Sequence, residues 1–332
     1  MADDLPASLK AFVEALRVDA QGAIHLAGRR IGRSGASPGG SEEQLANALM
    51  VCVYEHVYSQ PFPSAPEPAS PQPGIDLTDA IERANTTRPR AELDWSLLEQ
   101  APDGGVVAVR HGRSRRFMPG QYMVANGALP PPPGATLAVQ LPPGSRTQQP
   151  GFYHCFSEGF LDANDLSPAV RLYWNVGIGG AADLVRLLTG ALNRYEIPFR
   201  LKVTTGSADF VRTDNAVLYL TQDGFHAAAL AIGPVLQLLQ GTLAADIPLF
   251  TKRLGHGIGL AEDPGNGDSF GTSRSRLVAA ALAAAREGEL FPYPAFARSF
   301  ADAVSAAKLD IRALHLNPGS EDIYEPFRPA SS

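Results

Sequence analysis

Cysteine is almost absent from this sequence: Cys52 and Cys155 are the only two in 332 residues. So low a count excludes a disulfide scaffold, nearly excludes a metal site built from cysteine alone, and fits a reducing cytoplasm. No stretch approaches the ~20 apolar residues needed to cross a bilayer. The opening "MADDLPASLKAF" has neither the basic n-region nor the apolar run of a signal peptide. Positive charge is not in excess either. The net charge is −6 and the pI about 5.7, which argues against a protein built mainly to hold nucleic acid. Several ligand signatures are missing as well. There is no Walker lysine motif, and no histidine pair has metal-ligand spacing. "GHGIG" (255–259) has the wrong spacing for a dinucleotide loop and no strand–turn–helix around it. "EDPGNGD" (262–268) lacks the alternating acids and terminal glutamate of a calcium loop. No internal repeat is visible. The expectation is a chain without metal or redox cofactor, without nucleic-acid partner and without membrane attachment.

A hydrophobic content of 45% is enough for a sizeable core, and at ~150 residues per domain the length suggests about two domains. Residues 5–17 read as a helix and 28–40 as a loop. "SEEQLANALMVCVYEHVYS" (41–59) reads as a helix, with Ser41 and Gln44 at capping-box spacing and Leu45, Leu49, Cys52 and Val53 on one side. The Pro-rich segment 60–74 breaks the chain, and 76–84 adds a short helix. Strand patterns dominate from 104 onward: "GGVVAVRHG", "RRFMPGQYMV", "ATLAVQL" after "PPPPG" (130–134), "GFYHCFSEG" (151–159) and "VRLYWNVG" (170–177). A helix over 181–195 places Leu184, Leu187, Leu188, Ala191 and Leu192 on one face. A second helix, 225–240, is nearly all apolar, which implies burial. Residues 249–274 read as a long Gly-rich loop, and a third helix covers 272–287. The division expected is a mostly helical region 1–100 and an α+β domain 104–327. The fold class is α+β: an antiparallel or mixed sheet flanked by helices.

One stretch carries chemistry. In "FRLKVTTGSADFVRTDNAVLYL" (199–220), strand period two sends Phe199, Leu201 and Val203 to a core face and Arg200, Lys202 and Thr204 to the other. Arg212 follows just before the next apolar run. A lysine held mid-strand among arginines and partly buried is pushed toward its neutral form, which is a competent base. The plain alternative is an exposed sheet face with solvated cations. His154, in "FYHCF", points away from the core face if Tyr153 and Cys155 point into it; the alternative is an ordinary strand histidine. Arg171 and Tyr173 share a strand face in "RLYWN". Arg274 lies near the start of the third helix, where an arginine adds a bidentate donor to an anion-friendly helix terminus. Brought together, Arg171, Arg212 and Arg274 would hold a phosphate.

With these residues in view, the chain resembles the HopA-type family, named after a type III secretion effector of plant pathogens. The matching segments are "LYWNV" (172–176), "IPFRLKV" (197–203), "RTDNAVLYL" (212–220) and "GIGLAEDPGNGDSFGTSR" (257–274). Weaker echoes are "VYEHVY" (53–58) and "GRSRRFMPGQYMV" (112–124), so the resemblance covers roughly residues 41 to 290. Members of the family also stand beside peptide kinases in class V lanthipeptide and thioamide peptide biosynthesis. There the resemblance implies a lyase. An aminoglycoside-phosphotransferase-like kinase phosphorylates Ser or Thr of a precursor peptide, and the lyase removes the α-proton and phosphate to leave dehydroalanine or dehydrobutyrine. The family is similar, more distantly, to effector phosphothreonine lyases, which use a lysine base, a histidine acid and arginines on the phosphate. Carried over, this makes Lys202 the base. It puts Arg171, Arg212 and Arg274 on the phosphate, with Arg200 as a further member, and His154 or Tyr173 as the acid. The strand that would carry the acid, "RLYWN", has no histidine, which departs from the lyase pattern. No metal or cofactor is needed. The competing reading, from the effector side of the family, is a non-catalytic binding protein or a scaffold for a partner kinase.

Overall fold

The computed structural model describes residues 5–31, 42–63, 74–125, 127, 130–159 and 168–327. The N-terminal third holds α1 (Ala7–Ala15), a three-stranded antiparallel sheet of β1 (Leu16–Val18), β2 (Ile24–Leu26) and β3 (Arg29–Ile31), then α2 (Glu42–Val53) and α3 (Thr78–Ala84). A single π-helical turn, Tyr54–Tyr58, extends α2. Arg29–Ile31 was expected in a loop, but its backbone closes the small sheet against β2. The capping serine, Ser41, and the Pro-rich stretch 64–73 lie outside the described residues.

A second, five-stranded antiparallel sheet follows: β4 (Arg90–Gln100), β5 (Val106–Arg110), β6 (Arg113–Phe117), β7 (Tyr122–Val124) and β8 (Thr136–Leu141), in the order β6-β5-β4-β8-β7. Its core is its own: Trp95, Leu97, Ala108, Phe117, Leu137 and Val139 pack on one another. The longest strand, β4, ends at the expected division near residue 100 and pairs with β5 across it. It carries no clean alternation, because bulges between Glu92 and Trp95 and between Leu97 and Glu99 reset its phase.

The remaining elements build the main body. These are β9 (Gly144–Ser145), β10 (Phe152–Phe156), β11 (Ala169–Trp174), α4 (Ala181–Arg194), β12 (Arg200–Thr204), β13 (Ala216–Thr221) and α5 (Phe225–Leu239), followed by β14 (Lys252–Gly255), β15 (Ile258–Glu262), α6 (Phe270–Ala285) and α7 (Tyr293–Ala306). Seven strands form one antiparallel sheet, ordered β14-β15-β11-β13-β12-β10-β9. The fold is therefore α+β, with three antiparallel sheets flanked by helices. Residues 249–274 are not a free loop. They contribute the β14–β15 hairpin, and the glycines that hid it do specific work. Gly257 adopts a φ of +65° at the turn, and a side chain there would run into the Ala244 carbonyl oxygen.

The period-two pattern decides what each face of the large sheet meets. Tyr153, Cys155, Leu172, Trp174, Leu201, Val203, Leu218 and Leu260 bury against α4 and α5. On the other face Tyr173, Val217, Tyr219 and Ala261 bury against α1, α2, α6 and α7. Helix α5 is not buried all round, as its apolar sequence implied. Phe225, Ala228, Ile232 and Leu239 are buried, whereas Leu230 is 81% and Leu238 67% exposed. Apolar periodicity shows which face is apolar but not whether the other is covered. Among the described residues no helix is long and apolar enough to cross a membrane.

Candidate functional site

Antiparallel register builds the site. His154 on β10 stands directly opposite Lys202 on β12, and Lys202 stands opposite Val217 on β13. Val217 faces Tyr173 on β11. One pleat further along, Phe156, Arg200, Tyr219 and Arg171 form the next row. Side chains of directly opposed residues share a face and lie within contact range. Lys202, His154, Arg200, Arg171 and Tyr173 therefore occupy one continuous strip of the sheet. The central strands carry the part of the strip that α2 and α6 cover. Arg200 and Lys202, toward the sheet edge, are only half-buried.

Within the strip, aromatic rings hold the cations. Lys202 Nζ lies 4.6 Å from the centre of the Phe152 ring. Arg200 and Arg171 both stack on Tyr219, at 4.4 and 5.3 Å. A ring face attracts a cation without neutralising it, so Tyr219 holds the two guanidinium groups side by side. Tyr219 and Phe152 had not been singled out from the sequence. Extending the period-two reading from Lys202 through "NAVLYL" and "GFYHCF" would have found both.

His154 is the least satisfied group in the strip. It is 3% exposed, and neither ring nitrogen has a hydrogen-bond partner. Buried polar atoms almost always have one. Burial, then the Arg200 charge, then the Lys202 charge, push its pKa down to about 4. This has a consequence for stability. The folded protein resists protonating His154, whereas the unfolded chain takes the proton near the ordinary 6.5. The stabilisation is fully present above pH 6.5 and is lost as pH falls toward about 4. At about 1.4 kcal/mol per pH unit it amounts to a few kcal/mol. Denaturant melts of wild type from pH 7 to 4 should show this loss, and His154→Gln should flatten it. Equal pH slopes in the two proteins would remove His154 as the cause.

The three arginines expected on phosphate do not converge on an empty pocket. Arg171 donates from Nε to Asp263 at 2.7 Å and is largely buried. Arg212, just before β13, makes a two-pronged pair with Asp214, both contacts at 2.9 Å, and a third hydrogen bond to the Tyr54 hydroxyl. Arg274, in the second turn of α6, is 3% exposed. It donates to the carbonyls of Leu314 and Leu316 at 2.8 and 2.9 Å, and to Ser273 Oγ. It also stacks on Phe270, and burial lowers its pKa to about 10. Tyr173 is buried between β11 and α6 with its hydroxyl beside that of Tyr58, and burial raises its pKa well above the usual phenol value.

Much of the distinctive sequence turns out to bind the fold together. Glu262 accepts from the Asn317 backbone and from the Tyr324 hydroxyl, so with Arg274 it clamps residues 314–324 onto the body. Ser269 caps α6 by accepting from the Thr272 N–H at 3.0 Å. A side chain on Gly271 would collide with the Tyr58 and Tyr54 rings. Asn215, wholly buried, ties the start of β13 to Val176 through both its amide groups. These duties leave Lys202, Arg200 and His154 as the charged or titratable groups of the strip without an ion pair or hydrogen bond among the described residues. Lys202 is also one of only four lysines in the chain. Among the described residues no group of three or more His, Cys, Asp or Glu side chains is placed to hold a metal ion.

This sheet, its hairpin and the start of the clamped segment fall within one matched stretch of sequence. The model of the HopA1 effector protein family matches residues 145–316, just over half of the chain and all seven of the residues singled out above. The chain belongs to the HopA1 effector protein family. The family match begins at β9 and ends in the clamped segment, so it leaves out the N-terminal third and the five-stranded sheet. Two solved structures similar to this chain are effector proteins of Pseudomonas syringae. The one from pv. tomato strain DC3000 aligns at a TM-score of 0.38 and 23% identity, over 50% of this chain and 62% of that one. The one from pv. syringae strain 61 aligns at 0.37 and 20%, over 52% and 65%. The alignment thus spans less than two thirds of either effector. No curated protein sequence matches this chain.

Proposed function

We propose that the protein is a phosphoserine/phosphothreonine lyase. On this reading a partner peptide kinase phosphorylates a precursor peptide, and this protein eliminates the phosphate to give dehydroalanine or dehydrobutyrine, as in lanthipeptide-type biosynthesis in the cytoplasm. The observation that carries the reading is the pair His154–Lys202: two side chains directly opposed on one sheet face, neither bound to a carboxylate among the described residues, the histidine buried with both nitrogens unpartnered.

The roles follow from charge. Lys202, as the base, takes the proton from Cα, and the released electron pair forms the Cα=Cβ bond. The Cβ–O bond breaks, and phosphate leaves with that bond's electrons. Arg200 and, once it exchanges Asp263 for substrate, Arg171 bind the phosphate oxygens, a geometry guanidinium suits well. His154 is held neutral in the free protein near neutral pH, first by its burial and then by the charges of Arg200 and Lys202. A bound phosphate dianion offsets the Arg200 and Lys202 charges and raises the His154 pKa, so substrate binding favours the acid form that then donates its proton to the leaving phosphate oxygen. Tyr173 is sealed under α6 and serves as a wall of the site. Arg212 and Arg274 support it from within the fold. No metal is needed in this scheme, because the charge of the leaving phosphate is held by guanidinium groups.

One observation favours the second reading, a non-catalytic binding protein or kinase scaffold: three of the four arginines are already paired inside the fold. Incubating a phosphothreonine peptide with the purified chain, then trapping the product with a thiol, separates the two. A thiol adduct together with free phosphate supports the lyase. Binding of the phosphopeptide with no adduct supports the scaffold.

A further inference from the structure

The five-stranded sheet lies outside the family match, which begins at residue 145, and none of its residues enters the scheme above. It nevertheless gathers charge at one end of its core face. Glu92 on β4 is buried, and its carboxylate accepts from Trp95 Nε1 at 3.2 Å. Two guanidinium groups meet the same carboxylate: Arg90 at 2.9 Å, and Arg110 on β5 at 3.2 Å. A third arginine comes from β6. Arg115 stands opposite Ala108, and Arg110 lies two residues beyond Ala108, so both belong to the face that buries Trp95 and Phe117. The Arg115 guanidinium lies 5.8 Å from the centre of the Phe117 ring and has no ion pair among the described residues.

One carboxylate thus serves three cations, and two positive charges are left over. Burial lowers the Arg90 pKa, and the Arg115 and Arg110 charges lower it further, against the pull of Glu92 and Glu158. Arg110 Nε is buried and has no hydrogen-bond partner. An ion cluster that only braces the fold balances its charge and satisfies its buried donors. This one lacks both a negative charge and an acceptor, and a carboxylate supplies both at once. The three side chains are half-buried rather than sealed, so a ligand can reach them.

Geometry chooses among anions. The arginines come from three adjacent strands, which together span about 10 Å. One phosphate group is smaller than that, whereas side chains two apart on an extended peptide stand about 7 Å from each other. Arg90 also lines a cleft of about 580 Å³, together with Arg88, Glu158 and Glu196. Arg88 donates from Nε to Glu158 at 3.0 Å. Glu158 lies two residues beyond Phe156, which stands opposite Arg200 of the strip. The cleft therefore connects the arginine cluster to the end of the strip.

We propose that Arg90, Arg110 and Arg115 bind an acidic segment of the substrate peptide, separate from its phosphorylated residue. The identity of the peptide rests on the lyase reading; the binding of an acidic segment does not. Glu158 and Glu196 disfavour carboxylates inside the cleft, so the acidic segment settles on the arginines and the intervening peptide crosses the cleft. The chain as a whole carries a net charge of −6, which repels an acidic segment elsewhere and so sets the register of the peptide.

Fluorescence anisotropy on the whole chain tests this with a short labelled peptide, unphosphorylated and with glutamate at every second position. No phosphate is eliminated in this measurement, so failure of the lyase reading leaves its outcome untouched. Wild type should bind the peptide, more weakly as salt rises, and should not bind its glutamine counterpart. Arg115→Glu should weaken binding by at least about tenfold, with the melting temperature in place because Arg115 is half-exposed and unpaired. Glu92→Gln should tighten binding, because it removes the internal carboxylate that competes with the peptide and keeps its shape. Lys202→Ala should leave binding unchanged. Equal affinity in wild type and Arg115→Glu overturns the proposal. So does loss of binding in Lys202→Ala, or displacement of the peptide by inorganic phosphate at equal concentration.

Discussion

Lys202→Ala is expected to slow phosphate elimination by about 10²–10⁴-fold, the usual weight of a positioned general base. Phosphopeptide affinity should fall by only about tenfold, the value of one charge-assisted hydrogen bond. The split between rate and binding is the informative feature. Lys202 sits over Phe152 and has no carboxylate partner among the described residues, so its removal breaks no ion pair there. The fold should survive, and the melting temperature should move little. Lys202→Arg should fail to restore the rate, because a guanidinium does not give up its proton in a protein. It should, however, restore binding. Stopped-time phosphate release and fluorescence anisotropy of a labelled phosphopeptide read the two quantities. Loss of both in proportion would make Lys202 a docking cation and favour the scaffold.

Arg274→Ala should act in the opposite way, through stability. Removing the guanidinium leaves the Leu314 and Leu316 carbonyls without their donor in a site where Arg274 is 3% exposed. Each orphaned buried acceptor costs about 1–3 kcal/mol, and the lost packing on Phe270 adds to it. A destabilisation of about 3–5 kcal/mol is expected from urea melts. Arg274→Lys should recover little of it, since one ammonium cannot span two carbonyls in a fixed fork. Below the melting range the variant should bind phosphopeptide nearly as well as wild type. If Arg274 instead held the phosphate, affinity would collapse while the melt stayed in place.

The contrast between Lys202 and Arg274 marks what a sequence can convey. The strip was legible because strand period is two. Once Phe199, Leu201 and Val203 are assigned to the core, Arg200 and Lys202 can only face the other way, and His154 follows from Tyr153 and Cys155. The partners of the arginines were not legible. Arg171 meets Asp263 and Arg274 meets Leu314 across long spans of chain, and local pattern carries no information about such contacts. An arginine near a helix start looks the same whether it waits for phosphate or holds a carbonyl. The same limit hid β4, whose bulges break its alternation, and the β14–β15 hairpin, whose glycines read as loop. It also left α7, with Phe296 and Phe300 in the core, without a reading. Helix α5 shows the reverse case. Its composition was read correctly as apolar, but composition cannot tell a helix covered by its own chain from one with an exposed face.

The central claim is that Lys202 removes the α-proton of a phosphorylated residue. The most direct measurement uses a phosphothreonine peptide deuterated at Cα and follows its intact mass during incubation with wild type and with Lys202→Ala. The account predicts that wild type releases phosphate and Cα deuterium together, leaving a dehydrobutyrine lighter by one HDO than the deuterium-retaining hydrolysis product, and that Lys202→Ala leaves the peptide unchanged. Phosphate lost with the deuterium retained, or a phosphopeptide that survives wild type intact in the presence of its kinase, would contradict it.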